Sequence, residues 1–202
     1  MSKINDTLLP DAFEFCRDRI AEILIDELGN QYVNKGNYFA AADVWVERST
    51  AFDKTELPAV NVSVGTGTYA NQHQGQSQGE YVFFIDIHTN AKAKPGNESA
   101  DKVSAIHAQR LTGLVRGILE NPIYKTLGFA PGFISRRYME KFDVAAMNDN
   151  DAMQTSMIRN YFHVSVAEVS KLIVPPLAAG FDTVVKVNNT NEGYQYTVNS
   201  YE

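Results

Sequence analysis

Apolar residues follow two different periods along this chain, and the order of the two periods restricts the fold. Two segments place apolar residues at spacings of three and four, which is typical of amphipathic helices. Other segments alternate apolar and polar residues, which is typical of strands. The strand-like segments cluster between and after the helices instead of alternating with them one by one. This order predicts an α+β fold with a mainly antiparallel sheet, flanked by two amphipathic helices that pack on one face.

The first predicted helix covers residues 10–28. Pro10 suits a first-turn position, and Gly29-Asn30 is a typical stop signal. Cys16 is the single cysteine, which excludes an internal disulfide framework and a cysteine-based zinc site. It lies on the apolar face, so we expect a buried structural thiol. The full apolar face consists of Phe13, Cys16, Ile20, Ile23, Leu24 and Leu28.

The second predicted helix begins after a cap at Asn97 or Ser99 and ends at Asn121-Pro122. Its apolar face is expected to lie on the sheet, as in the first helix. That face consists of Val103, Ile106, Leu111, Leu114, Ile118 and Leu119.

Five segments with strand character cover residues 38–47, 57–64, 81–88, 133–142 and 158–169. Their expected one-sided sets are Tyr81, Phe83, Ile85 and Ile87 in the third, Ile134, Tyr138 and Phe142 in the fourth, and Ile158, Phe162, Val164 and Val166 in the fifth. The Gly/Gln-rich stretch at residues 65–79 looks too polar to pack and long for a hairpin loop. It is therefore predicted to be a mobile polar loop.

The region after residue 174 differs from the rest. Two short strand-like runs, residues 181–187 and 194–199, flank a glycine-containing loop and predict a β-hairpin arm. We expect two domains, residues 1–174 and 175–202. An isolated hairpin is marginal in water, so the arm either contacts a neighbouring protein or folds back on its own domain. The candidate contact residues in the arm are Phe181, Val184, Val185, Val187, Tyr194 and Tyr196.

The charge balance limits the class of partner. Among 202 residues, 24 are acidic and 18 are basic, a net charge of −6 that argues against a dedicated nucleic-acid binder. No stretch approaches the roughly 18 apolar residues of a membrane span, and the N-terminus lacks the apolar run of a secretory signal. We therefore expect no membrane partner.

Two adjacent cations, Arg136 and Arg137, are candidates for contact with an acidic partner protein. Neighbouring residues of a strand point to opposite faces, so at least one of the two should be exposed. The alternatives are a solvated face or an ion pair with Glu140 or Asp143.

Two patterns suggest catalysis only superficially. Residues 75–79 match G-x-S-x-G, but a polar stretch precedes Ser77 and a strand follows it, whereas the nucleophile elbow needs a strand before and a helix after. The four histidines show neither an i, i+4 pair nor H-E-x-x-H; they are His73, His88, His107 and His163. We expect no catalytic residue, no metal and no cofactor, and a small serine hydrolase stays a remote alternative.

The sequence resembles the tail terminator proteins of long-tailed bacteriophages. The strongest stretch is residues 51–64, AFDKTELPAVNVSV, an acidic turn followed by an alternating strand. A polar break, a long strand, a helix with a Leu/Ile stripe and two further strands follow in the family's order over about residues 10–168. The stretch at residues 65–79 and the tail beyond Lys171 depart from the family pattern.

The resemblance implies a structural ring, usually a homohexamer, that caps the phage tail tube, ends tube polymerisation and joins the tail to the neck of the head. It implies a virion protein of the tail or neck, made in the host cytoplasm. The implied partners are the tail tube protein and the neck or connector protein, with the sheath protein as a further candidate. DNA would only pass through the lumen. A head-completion or other neck ring protein is the alternative in the same assembly class.

Overall fold

The computed structural model describes residues 10–35, 41–73, 76–92, 99–145, 153–169, 182–186 and 195–199. The chain divides into two compact units, Met1–Glu168 and Val169–Glu202. The sequence-based boundary after residue 174 stays a prediction. The helices of the first unit are α1 (Ala12–Lys35) and α2 (Ala100–Leu119), and its strands are β1 (Asp43–Val46), β2 (Ala59–His73), β3 (Gln76–Lys92), β4 (Ile134–Ala145) and β5 (Met153–Val169).

The five strands form one mixed sheet in the order β1-β2-β3-β5-β4. Strand β1 runs parallel to β2, while β2–β3 and β4–β5 pair antiparallel. The α+β prediction is confirmed. In the second unit, β6 (Asp182–Lys186) and β7 (Gln195–Asn199) form a separate antiparallel pair.

The hydrophobic core lies between the two helices and one face of the sheet. The predicted alternation on β3 and β5 is confirmed, because all eight core-facing positions are buried: Tyr81, Phe83, Ile85, Ile87, Ile158, Phe162, Val164 and Val166. Helix α1 buries Cys16, Ile20, Ile23, Leu24 and Leu28 against them, as predicted, and Phe13 packs at the margin. Burial of this apolar area is the main favourable term that holds both helices on the same face.

Helix α2 is rotated relative to the predicted stripe. Of the six predicted residues, Leu111, Ile118 and Leu119 are buried, while Val103, Ile106 and Leu114 are only half-buried. The buried face is completed by Ala100, Ser104, Ala108, Thr112 and Val115. Small side chains on this face allow the helix to approach the sheet closely, which a pattern of large apolar residues does not indicate. The helix ends at Leu119, before Asn121-Pro122, as predicted.

Helix α1 continues past the predicted stop at Gly29-Asn30 and ends at Lys35. Glycine costs about 1 kcal/mol relative to alanine in a helix interior, so tertiary contacts can override it. The continuation lies beside β1, where Leu28 and Tyr32 line a crevice shared with Val44. These contacts supply the compensation that the local sequence does not show.

The prediction of a mobile loop at residues 65–79 is wrong. Strand β2 continues to His73 and β3 begins at Gln76, so residues 65–73 and 76–79 form an antiparallel ribbon, with bulges near Gly65 and Asn71. Backbone hydrogen bonds form the ladder whatever the polarity of the side chains. Tyr69 also anchors the ribbon, since its ring meets Tyr81 with centroids 6.0 Å apart.

Two bulges on β4 change the faces of its side chains. They lie between Ile134 and Arg136 and between Met139 and Lys141. Each bulge adds a residue and shifts the alternation by one. Ile134 and Phe142 therefore lie on the helix side, whereas Tyr138 pairs with His163 on the opposite side, which corrects the prediction that these three share a side.

Candidate interaction surfaces

The sheet face opposite the helices carries cations paired with aromatic rings. At its centre, Arg159 donates two hydrogen bonds to the buried carboxylate of Asp86, at 2.7 and 2.8 Å. The same guanidinium lies 4.5 Å from the ring centroid of Phe84, whose edge meets Tyr161. The bonds to Asp86 raise the pKa of Arg159. A bidentate ion pair of this kind supplies the hydrogen bonds that a buried carboxylate no longer receives from water.

The same arrangement recurs towards β1. Arg48 lies 4.5 Å from the ring of Trp45 and 4.3 Å from that of Phe52. Its guanidinium also donates to both oxygens of Glu56 and lowers the pKa of that carboxyl. Cations fixed over rings by carboxylates form a rigid polar surface.

Arg136 and Arg137 are held differently. Arg136 is exposed, with its guanidinium 4.5 Å from the ring of Tyr138. Arg137 lies on the helix side and donates to the carbonyls of Leu119, Asn121 and Lys125. Burial lowers its pKa, which the nearby Glu120 opposes.

The expectation that one of the two arginines is exposed is therefore confirmed. The alternative ion pairs with Glu140 or Asp143 are not the ones found, because Glu140 bonds His163 at 2.6 Å and Asp143 bonds Lys141 at 3.2 Å. Arg137 instead caps the C-terminal end of α2, where the helix dipole favours a cation. Contact with an acidic partner stays a prediction for both.

Three of the histidines, His88, His107 and His163, have different surroundings. His163 stacks on Tyr138 with ring centroids 4.8 Å apart, and His88 lies against Phe52 at the same distance. Desolvation lowers the pKa of His88, and the charge of Asp86 opposes that shift. His107 is exposed on α2. Within the part of the chain that the structure describes, no group of three or more His, Cys, Asp or Glu side chains could hold a metal ion.

Ser77 lies in β3, where it pairs with Asn71 of β2. Ser77 thus lies in a strand paired with another strand, and no helix follows it as in a nucleophile elbow.

The predicted contact residues of the arm are covered in part. Val184 and Val185 lie in β6 and Tyr196 in β7, with Val185 opposite Tyr196 in the register. Phe181, Val187 and Tyr194 lie outside the described residues.

Exposed apolar residues gather at two opposite edges of the sheet. At the β1 edge, Ile25, Tyr32 and Val33 form what we call the α1 stripe. At the β4 edge, Phe142 and Val144 are more than half exposed. Sequence reasoning missed both surfaces. The i, i+7, i+8 spacing of the α1 stripe is present in the sequence, but these residues share a helix face only if the helix continues through Gly29.

Phe142 belongs to the floor of a groove of about 430 Å³, which we call the β4 groove, and Val144 lies beside that groove, opposite Ile158 in the register. One wall is α2 and the floor is β4 and β5. The groove is lined by Gln109, Thr112, Gly113, Arg116, Met139, Glu140, Lys141, Phe142, Ile158 and Asn160. A helix with its side chains is about 10 Å wide and strands lie about 4.8 Å apart, so two helices cover about four of five strands. The far part of β4 is left uncovered.

Neither described helix combines the length and the apolar character needed to cross a membrane.

No family model and no curated protein matches the sequence. Among solved structures, the chain is similar to one in the virion of a native gene transfer agent particle, with 15% sequence identity and a TM-score of 0.41. That similarity covers 74% of this chain and 98% of the other. The functional argument therefore rests on the surfaces described above.

Proposed function

We infer that this protein is a structural subunit that assembles with copies of itself and with other virion proteins. One observation carries the inference, namely that the two edges of the sheet expose different apolar surfaces, the α1 stripe and the β4 groove. Contiguous exposed apolar surface marks sites of protein association. Two unlike surfaces on opposite edges suit head-to-tail contacts, which close into a ring when the rotation between subunits allows it.

Within this class, the function is that of a bacteriophage tail terminator. A ring, with six subunits as in the family that the sequence resembles, would cap the tail tube, end its polymerisation and join the tail to the neck. The resemblance over about residues 10–168 supports this choice. The net charge of −6 also suits a lumen through which DNA passes without binding.

The decisive experiment images the purified protein by negative-stain electron microscopy after mixing with purified tail tubes. Rings at one end of each tube are expected, together with an arrest of elongation when free tube protein is added. Binding to the head connector and not to the tube would instead identify a neck ring protein. Tubes that stay bare and continue to elongate would contradict the proposal.

The proposed function needs no catalytic residue. Ser77→Ala should leave tube capping unchanged, because Ser77 lies in a hairpin without the elbow's helix. An ester hydrolysis that the wild type performs and the variant loses would support the hydrolase alternative.

A further inference from the structure

Helix α1 has a second apolar face that its own sheet covers only in part. Ile25 and Tyr32 line the crevice beside β1, and Val33, next to Tyr32, is 79% exposed. These residues lie at i, i+7 and i+8, so they form one stripe along the C-terminal half of the helix. A stripe of this kind is the typical anchor of helix-in-groove recognition.

The β4 groove has the complementary shape and composition. Phe142 and Ile158 contribute apolar floor, and Gly113 on α2 has open space where a side chain would stand. By the widths given above, the uncovered strip is about one strand wide, roughly 5 Å, so a docked helix would lie partly over β4 and partly beyond the edge of the sheet.

Two unsatisfied polar atoms lie in the lining of this groove. Among the described residues, Asn160 Oδ1 and Thr112 Oγ1 are the buried side-chain polar atoms without a hydrogen-bond partner. The amide nitrogen of Asn160 already donates to the carbonyl of Ile85, at 3.1 Å. A buried polar atom without a partner costs roughly 1–3 kcal/mol, so an incoming donor gains by supplying the bond. The Tyr32 hydroxyl of another copy is a donor of the required kind.

The charges flanking the two surfaces have opposite sign. From residue 20 to residue 34, α1 carries Glu22, Asp26 and Glu27 and no Lys or Arg. From residue 103 to residue 119, α2 carries Arg110 and Arg116 and no acidic residue. Lys141 adds a cation to the groove, and Glu140, the one carboxylate of the groove lining, is bonded to His163. The cations Arg116 and Lys141 are themselves paired with carboxylates outside the lining, Glu120 at 2.8 Å and Asp143 at 3.2 Å, so docking would exchange or share these exposed pairs. Complementary charge of this kind orients two surfaces and speeds their encounter.

We propose that the α1 stripe of one copy docks into the β4 groove of the next copy. Because β1 and β4 are opposite edges of the sheet, this contact is head-to-tail and leaves a free stripe at one end and a free groove at the other. The inference rests on the proposed self-assembly and adds which surfaces meet.

The test uses two full-length variants, each with one damaged surface. Val33→Glu places a charge in the stripe, and Val144→Glu places one beside the groove, opposite the groove residue Ile158 in the register. Each variant alone should be monomeric, with an apparent dissociation constant raised by roughly tenfold or more. Because each retains one intact surface, the two together should form a heterodimer and nothing larger. Native mass spectrometry, with and without tail tubes, measures each mass. Ile123→Glu is the control, because Ile123 is about as exposed as Val33 and lines neither the crevice nor the groove, and this variant should assemble like the wild type.

Three results would overturn the inference. They are assembly of either variant alone as in the wild type, a mixture that forms no heterodimer or forms larger species, and a wild type that stays monomeric even with tubes. Circular dichroism checks that each variant is folded. If one of the two variants does not fold, the charge-reversal variants Asp26→Lys and Arg116→Glu are used in their place. Each reversal alone should weaken assembly, and the chain that carries both reversals should assemble again. If the variants still cap tubes as complete rings, the docking contact fails while the proposed function stands. If the wild type associates through these surfaces but does not bind tubes, the docking contact stands and the proposed function fails.

Discussion

Arg137 connects the edge strand β4 to the C-terminal end of α2. Its guanidinium donates to carbonyls at and beyond the C-terminus of α2, where the helix leaves its last acceptors without intrahelical donors. Arg136, one residue earlier, is exposed over Tyr138. Adjacent arginines of the same chemistry therefore have different energetic roles, because strand geometry sends them to opposite faces.

This difference gives the first prediction. Arg137→Ala should lower the free energy of unfolding by about 1–2 kcal/mol, because the helix end loses charge-assisted hydrogen bonds. Arg136→Ala is the matched control and should change it by about 0.5 kcal/mol or less. Urea denaturation followed by circular dichroism measures both. Equal effects of the two substitutions would contradict the capping role.

His88 predicts a pH dependence of stability. Burial lowers its pKa in the folded state, so the unfolded chain binds the proton more tightly. Above the unfolded-state pKa of about 6.5, the titration of His88 therefore does not change the free energy of unfolding. As the pH falls below that value, the titration of His88 lowers the free energy of unfolding.

The loss of unfolding free energy between neutral pH and about pH 5 should accordingly be smaller in His88→Gln than in the wild type. His107→Gln, at an exposed position of α2, is the control and should keep the wild-type difference. Denaturation curves at a series of pH values test this. An unchanged loss in His88→Gln would remove His88 as a cause.

At the scale of elements, the β2–β3 ribbon depends on a close approach between backbone and ring. A Cβ atom on Gly65 would stand 2.5 Å from the ring of Phe84. That ring cannot move freely, because Tyr161 meets it with centroids 5.2 Å apart and Arg159 lies over it.

Gly65→Ala should therefore destabilise the protein by about 1–3 kcal/mol through overpacking. Gly117→Ala, in the last turn of α2 with no atom beyond its own helix backbone within 4 Å of the added Cβ, should stabilise the protein by about 0.5–1 kcal/mol. Thermal unfolding measures the opposite signs. A neutral Gly65→Ala would show that Phe84 yields more easily than its contacts indicate.

The C-terminal strands form a compact unit of their own, Val169–Glu202. Removal of residues 178–202 should leave the first unit folded, because its core residues all lie before residue 168. If the arm contacts a neighbour, the truncated protein should also cap tail tubes poorly in the imaging assay. A truncated protein that unfolds, or that caps tubes normally, would contradict the prediction that the arm contacts a neighbouring protein.

At the scale of the whole molecule, assembly should depend on a template. Head-to-tail contacts that are weak singly become strong together in a closed set, since the last contact is effectively intramolecular. The mass of the tube-bound assembly should be six times 22.5 kDa, while free subunits at low concentration are monomers. Native mass spectrometry or scanning transmission electron microscopy measures the bound mass. One subunit per tube would contradict the ring.

The sequence alone determined the elements whose signals are periodic and local. The alternation at Tyr81, Phe83, Ile85 and Ile87 and the first apolar face of α1 predicted both the strand and the helix, and with them the α+β class. A period is a property of neighbouring residues, so it survives any packing that buries one face.

Only the tertiary structure decided where elements end and which surfaces stay open. Helix α1 passes Gly29 because β1 packs beside it, and residues 65–73 and 76–79 form a ribbon because the two strands satisfy each other's backbone hydrogen bonds. The bulges on β4, the groove beside α2 and the unsatisfied oxygen of Asn160 likewise depend on partners distant in sequence. Hydrogen bonding between strands and the burial of side chains depend on which elements pack together. Local sequence patterns do not indicate which element will be the neighbour.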